Sequence, residues 1–270
     1  YWRNDWRGRN YCSTGTMSNL IDKAREQFAR EIPGRRVALQ FSGGKDSLVL
    51  VYLLHDYIQA GMPVYWTNTG DNLPETLNVV NTMRAHIPNF IEVKSDVLSW
   101  KAQHGICSDA TTAQSSWGGA AYGMSDVRLV GRFECCWFNR LQPMHQRVLD
   151  DGVEVVIRGT KLSDYGKVPA VGKTDVYDVM LPLVHWSKEQ VFEFLDSVDA
   201  PRNPIYQVIS AASLPDCFHC SAAWGDHKSA YLREFHPGAM KEYKTDLLTI
   251  RAELQKRVRD LENELLECDK

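Results

Sequence analysis

The chain of 270 residues is 44% hydrophobic and 24% charged, enough length and apolar content to bury a core, which excludes a disordered or fibrous protein. Lys and Arg total 31 against 34 Asp and Glu, and the formal charge of −3 gives no chain-wide attraction to nucleic acid or an anionic membrane. The apolar run 48–54 falls far short of the roughly 18–20 residues that cross a bilayer, and no basic segment leads into an apolar stretch near the start, so a cytoplasmic protein is expected.

Residues 1–16 mix Trp, Tyr and Arg with Cys12 and show no periodicity. They read as an extension ahead of Met17, the alternative being an aromatic-basic arm that touches nucleic acid. Ser18 is expected to cap a helix over 18–31, stopped by Pro33-Gly34. A short apolar strand at 37–41 runs into Ser42-Gly43-Gly44 and then a strongly apolar helix to about 59. Strands at 63–67 and 90–93 bracket a helix over 74–86. The stretch 107–132, rich in Gly, Ser, Ala and Thr, reads as a mobile loop or lid. A helix over 136–149, a buried strand at 153–158 and a helix over 187–197 follow. This alternation predicts an α/β fold, a parallel twisted sheet with helices on both faces. Leu247, Ile250, Leu254, Val258, Leu261 and Leu265 recur at steps of three and four, an amphipathic helix of roughly twenty residues. It either packs on its own domain or forms the seam of a homodimer or partner contact.

Ser42-Gly43-Gly44-Lys45-Asp46-Ser47 sits between a strand and a helix. Two glycines let consecutive N–H groups face one anion while the helix N-terminus adds its positive dipole. Lys45 can neutralise a phosphate oxygen, Asp46 can hold Mg2+, and the Ser42 and Ser47 hydroxyls can donate to the same group. Gly172-Lys173-Thr174 looks like the end of a rival phosphate loop but fails on spacing, because Lys167 stands where that loop needs Gly. Cys135-Cys136 and the Cys217-x-x-Cys220 knuckle form a second constellation. Adjacent thiolates diverge, which suits a four-iron four-sulfur cluster better than one tetrahedral zinc, with zinc and plain buried or redox thiols as the other readings. Cys12 and Cys107 read as incidental thiols.

The Ser42–Ser47 run resembles the PP-loop of the ATP pyrophosphatases, and that resemblance implies cleavage of ATP between its α and β phosphates, with the loop gripping the departing pyrophosphate. Asn68-Thr69-Gly70, followed by Pro74-Glu75-Thr76, resembles a segment lining the nucleotide pocket in the same superfamily, with Asn68 where Asp is usual. Cys135-Cys136 followed by Asn139-Arg140 and Pro143-Met144, then Leu181-Pro182-Leu183, Asn203-Pro204-Ile205-Tyr206 and the knuckle, resembles the phosphoadenosine and adenosine phosphosulfate reductase family over about 36–224. Gly159-x-Lys161-x-x-Asp164 resembles a family element with Arg and Glu at its charged positions, and places Lys161 toward phosphate or sulfate oxygens. Asn139 replaces a family Arg.

The resemblance implies a nucleotide-binding domain over 17–225 carrying the Cys-rich site, with a helical segment over 226–270. The implied catalytic residues are Lys45, Asp46 and Lys161. Ser42, Gly43, Gly44, Lys45, Asp46, Ser47, Thr69, Gly70 and Gly159 would bind ATP with Mg2+, and Cys135, Cys136, Cys217 and Cys220 would hold the cluster. The full ATP-cleaving loop is similar to that of the sulfur-transfer branch, which includes DNA phosphorothioation proteins and tRNA thiolases. The expected partners are ATP, a sulfur donor protein or persulfide carrier, and nucleic acid as one acceptor, with Arg128, Arg132 and Arg140 as a candidate basic patch. The alternatives are a sulfonucleotide reductase forming sulfite, which would need Cys268 as nucleophile, and a non-catalytic nucleotide-binding module.

Overall fold

The computed structural model describes residues 15–165, 176–209, 216–225 and 227–270. Residues 1–14 with Cys12, and Gly172-Lys173-Thr174, lie outside the described residues. The elements in chain order are α1 (Gly15–Glu31), β1 (Val37–Gln40), α2 (Lys45–Leu53), α3 (His55–Gln59), β2 (Val64–Asn68), α4 (Pro74–Arg84) and β3 (Phe90–Lys94). Then come α5 (Val97–His104), β4 (Ile106–Ser108), α6 (Trp117–Ala121), β5 (Leu129–Gly131), α7 (Arg132–Cys136), a π-helical turn (Trp137–Leu141) and α8 (Gln142–Asp150). The rest are β6 (Val155–Ile157), α9 (Leu162–Tyr165), β7 (Asp178–Met180), α10 (Lys188–Ser197), α11 (Ile205–Val208), α12 (Lys228–Phe235) and α13 (Met240–Cys268). They fall into two compact units, the first spanning Tyr1–Thr67, Glu75–Val93 and Met144–Asn203, the second Asn68–Pro74, Lys94–Pro143 and Pro204–Lys270.

The first unit is the expected parallel sheet, in the order β3-β2-β1-β6-β7. Leu39 sits opposite Val64, Val37 opposite Val155, and Val155 opposite Asp178, all in parallel register. Val37, Leu39, Val64, Trp66, Val155 and Ile157 pack into one apolar cluster, whereas the intervening Ala38, Tyr65 and Val156 pack into another with Met144 and Val148 of α8. Because side chains alternate across a strand, the two clusters are the two covered faces of one sheet. The chain steps outward from β1 to β2 and β3, then returns to the other side of β1 at β6. That reversal is a topological switch point, whose strand ends are where open sheets of this kind take their ligands.

In the second unit β4 and β5 pair in parallel, Cys107 opposite Val130. Among the described residues no helix is long and apolar enough to cross a membrane.

Local departures from expectation have physical causes. The helix expected from Ser18 starts at Gly15, because Met17, Ile21, Ala24 and Phe28 form one buried face. The apolar helix after the phosphate loop breaks at Leu54 (φ −96°, ψ 10°) into α2 and α3. The stretch 107–132, expected to lack regular structure, carries most of β4 together with α6 and β5, pinned at a few buried residues. Ser115 is buried and hydrogen-bonded to Thr112 (2.8 Å), and a Cβ on Gly119 would lie 2.2 Å from the Gln114 carbonyl oxygen. The C-terminal helix runs 29 residues rather than roughly twenty.

Candidate functional site

The phosphate loop leaves β1 at the switch point and opens α2. Gly44, the N-cap of α2, has no side chain with which to accept from the first-turn N–H groups, and the helix N-terminus points its dipole at the loop. Ser42 and Ser47 brace the turn, their hydroxyls 3.0 Å apart, with Gly44 N–H donating to Ser42 Oγ (3.2 Å) and Ser47 Oγ–H to the Gly44 carbonyl (3.0 Å). Gly43 has φ +76°, and a Cβ there would stand 2.7 Å from Val80 Cγ2 and 2.8 Å from Thr76 Cγ2 of α4. Glycine is required at that position by both conformation and space.

The strand on the far side of the switch point completes the arrangement. A Cβ on Gly159, just past β6, would lie 2.9 Å from the Asp46 carbonyl carbon and the Ser47 nitrogen, so the two backbones touch only because this residue is glycine. Lys161 is fully buried and donates to Asp46 Oδ1 (2.5 Å) and to both oxygens of Asp164 (3.0 and 2.9 Å). Lys45, also buried, donates to Asp46 Oδ2 (2.7 Å). Two ammonium groups and two carboxylates thus alternate in one chain of zero net charge around the first turn of α2. The structure brings Ser42 through Ser47, Gly159 and Lys161 together in the first unit.

The cysteines belong to the second unit. Cys135 and Cys220 are buried in one apolar cluster with Cys107, and half-buried Cys217 packs against it. The Cys107 thiol hydrogen-bonds to both Cys135 and Cys220, which holds its own proton and pulls the other two thiols down, Cys220 to about 7. Cys136 lies outside that packed set, as adjacent positions on a helix must. Burial pushes its thiol up to about 11 and that of Cys217 up as well. Cys217 Sγ donates to Thr69 Oγ1 (3.6 Å), so Thr69, expected at a nucleotide, meets the knuckle. Gly70 takes φ +75° in the same turn, its N–H donating to Asn68 Oδ1 (2.9 Å).

Segment 68–73 is the seat of the knuckle. Asn72 bridges Cys217, and buried Asp71 accepts from His219 Nδ1 (2.6 Å) and from the His219 backbone N–H (3.0 Å). Lys101 donates to the His219 carbonyl (2.6 Å) and buried Lys228 to the Phe218 carbonyl (2.5 Å). Both ammonium groups favour the Cys220 thiolate, and burial lowers Lys228 itself to about 8. Asn139, read from the sequence as a lost Arg, is buried and donates to the Cys135 carbonyl (3.0 Å). Beside the knuckle lies a cavity of about 640 Å3 whose lining includes Lys101, Arg128 and His219 as well as Asp126, Glu242 and Asp246. The anticipated basic patch is largely neutralised, since Arg132 pairs with Asp109 (3.8 Å) and Arg140 with Asp216.

Among the described residues no group of three or more His, Cys, Asp or Glu is arranged to hold a metal ion. Cys107, Cys135 and Cys220 share one apolar cluster. By donor chemistry the four thiols still fit a thiolate-bound cluster: soft ligands only, three of them in or against one apolar cluster, with the Lys101 and Lys228 ammonium groups favouring the Cys220 thiolate. Sequence reasoning missed Cys107, Asp71, Lys101 and Lys228. No motif marked them, because their roles exist only once β4, the 68–73 turn and the knuckle are folded together.

No curated protein matches the sequence. Residues 36–221 match the family model described as phosphoadenosine phosphosulfate reductase domain. Among solved structures the chain is similar to phosphoadenylyl-sulfate reductase from Candida auris in its phosphate complex, at 15% identity and TM-score 0.50, over 76% of this chain and 95% of that one. A U34-tRNA thiolase from Methanococcus maripaludis with its 4Fe-4S cluster aligns at 16% identity and TM-score 0.48, covering 88% of this chain and 82% of that one. An NH3-dependent NAD synthetase from Campylobacter jejuni aligns at 13% identity and TM-score 0.43, over 86% of this chain and 92% of that one.

Proposed function

The chain belongs to the phosphoadenosine phosphosulfate reductase domain family, and from that premise we propose that it uses ATP to activate a substrate oxygen for replacement by sulfur, releasing pyrophosphate and then AMP. The observation that carries this reading is the braced Ser42–Ser47 turn at the N-terminus of α2, with the left-handed Gly43 inside it and the Lys45 ammonium beside it, an anion cradle suited to the pyrophosphate end of ATP.

A lone pair on the substrate oxygen attacks the α-phosphorus, and the bond from that phosphorus to the bridging oxygen breaks. Pyrophosphate leaves with the electron pair, its charge met by the loop N–H groups and the Lys45 ammonium. Asp46 is the carboxylate that would hold Mg2+, and Lys161 keeps it aligned from the opposite side. A hydrosulfide ion then displaces AMP from the activated substrate atom, forming the new bond to sulfur. If a partner protein's persulfide supplies the sulfur, the disulfide first formed takes two electrons from a further thiol. Cys135, Cys136, Cys217 and Cys220 would hold an iron–sulfur cluster, which supplies a thiophilic, redox-active centre. A reducing cytoplasm suits these free thiols. Nucleic acid is one acceptor consistent with the reading.

The test is release of AMP and pyrophosphate from ATP by anaerobically reconstituted protein supplied with sulfide and bulk tRNA or DNA. Lys45→Ala and Asp46→Ala should each abolish both products. Absence of both from the parent chain in every mixture removes the proposal. The family match favours a second reading, reduction of a sulfonucleotide to sulfite, for which Cys268 is the candidate nucleophile. Cys268 lies on the exposed end of α13 among acidic neighbours. Sulfite formation that survives Cys268→Ser would exclude that thiol as the nucleophile.

A further inference from the structure

Helix α13 is anchored over its first half and bare over its second. Ile250 and Glu253 are buried, and Glu253 accepts from Ser125 Oγ (2.9 Å). Every residue from 255 to 270 is exposed. This bare stretch still carries an apolar stripe: Val258, Leu261 and Leu265 are 51–60% exposed and continue from half-buried Leu254. Leu247, Arg251, Leu254, Val258, Leu261, Leu265 and Cys268 form one seam of alternating three- and four-residue steps, the spacing of helices that wrap around each other.

Charge along the same stretch is split in two. Arg251, Lys256, Arg257 and Arg259 outnumber the buried Glu253 ahead of residue 260, and Asp260, Glu262, Glu264, Glu267 and Asp269 outnumber Lys270 from there on. A helix that is basic in one half and acidic in the other complements a second copy of itself only when the two run in opposite directions. We propose that α13 pairs with α13 of a second copy of this chain as an antiparallel two-helix seam centred between Arg259 and Asp260.

In that register Val258 meets Leu261 of the partner subunit, and Leu254 meets Leu265 of the partner subunit. Arg257 lies against Glu264 of the partner subunit twice, by symmetry. A parallel pair would gain Arg257 against Glu262 of the partner subunit but would set Glu264 against Asp269 of the partner subunit, a repulsion. The apolar contact from Leu254 to Leu265 is about 17 Å long at 1.5 Å per residue. Such a short seam gives a reversible, concentration-dependent dimer.

Sedimentation equilibrium of the full chain tests this. The parent chain should dimerise, and Leu261→Asp, at an exposed position that folding does not need, should leave it monomeric with an unchanged circular dichroism spectrum. Glu264→Arg should raise the dissociation constant about tenfold, and adding Arg257→Glu should restore it, because the reversed pair attracts again. After mild oxidation Arg251→Cys should give a disulfide from the introduced thiol to Cys268, with little linkage of Cys268 to itself. A parent chain that stays monomeric at the highest soluble concentration overturns the proposal and leaves the seam to a different chain. A dimer untouched by Leu261→Asp overturns it too. Tighter association of Glu264→Arg, or prompt Cys268-to-Cys268 linkage in the parent, would show parallel packing and overturn the register.

Discussion

Replacing Lys161 by Met keeps the volume of the side chain and removes its charge. The ammonium lies 2.5 Å from Asp46 and 2.9 to 3.0 Å from Asp164. At an effective dielectric of about 20 each contact is worth roughly 6 kcal/mol in Coulomb energy, most of which offsets the desolvation of the charges. Removing one partner of a buried pair costs about 3–5 kcal/mol, because the other charge stays behind. Asp46 keeps Lys45 at 2.7 Å, so the loss falls on Asp164, whose side chain is 11% exposed and can recover some hydration. The expected cost is therefore at the low end, about 3 kcal/mol, or roughly 6–12 °C in Tm for a chain of this size. Urea and thermal unfolding measure it. Lys161→Met with Asp164→Leu should regain at least half of the loss, since no charge is then orphaned. A loss below about 1 kcal/mol, or a double variant as unstable as the single, would refute the assignment of Lys161 as the group that holds these carboxylates together.

Gly43→Ala should cost about 2–5 kcal/mol, from the left-handed backbone and from contact with Val80 and Thr76, and should weaken ATP binding; equilibrium unfolding and nucleotide titration report the two effects. Cys107→Ser should leave the final iron content close to that of the parent, whereas Cys135→Ser and Cys220→Ser should reduce it, as read by iron analysis and visible absorption of anaerobically reconstituted protein. Asp71→Asn should loosen the knuckle by weakening its hold on His219 Nδ1, seen as faster alkylation of Cys217 in the metal-free protein. Burial, and then the nearby Asp199 charge, raise Tyr52 from 10.0 to about 12. The folded state therefore holds that proton more tightly than the unfolded chain, and the stability it contributes is complete below pH 10 and is lost as pH climbs toward 12. Tyr52→Phe should flatten this alkaline loss in a pH series of urea melts.

Four of the five strands of the sheet, β1, β2, β3 and β6, were legible because each is a short run rich in Val, Ile, Leu or aromatic residues, whereas the edge strand β7, Asp178-Val179-Met180, carries no such run and was not read. Phosphate-loop chemistry was legible for a related reason: Gly43 and Gly44 with Lys45, Asp46 and Ser47 form a contiguous string whose local backbone does the binding. Lys161 was found through the resemblance of Gly159-x-Lys161-x-x-Asp164 to a family element, although its placement between Asp46 and Asp164 required β1 and β6 to be neighbours. The elements within 107–132 were not read because they are short and rest on single buried residues, such as Cys107, Ser115 and Val130, that periodicity does not register.

The thiol site shows the same limit more sharply. Sequence spacing puts Cys135 beside Cys136 and Cys217 near Cys220, and on that ground they look like two equivalent pairs. Packing makes them unequal. The Cys107 thiol keeps its proton and lowers Cys135 and Cys220, the latter also lowered by the Lys101 and Lys228 ammonium groups, while burial raises Cys136 and Cys217. A thiol that already leans toward thiolate is the better first ligand for an incoming metal. Loading of the second unit should therefore begin at Cys135 and Cys220 and require the Cys107 contact to open, so Cys107→Ala should speed metal uptake without changing its final stoichiometry. Slower uptake, or a lower final iron content, would mean that Cys107 is itself a ligand.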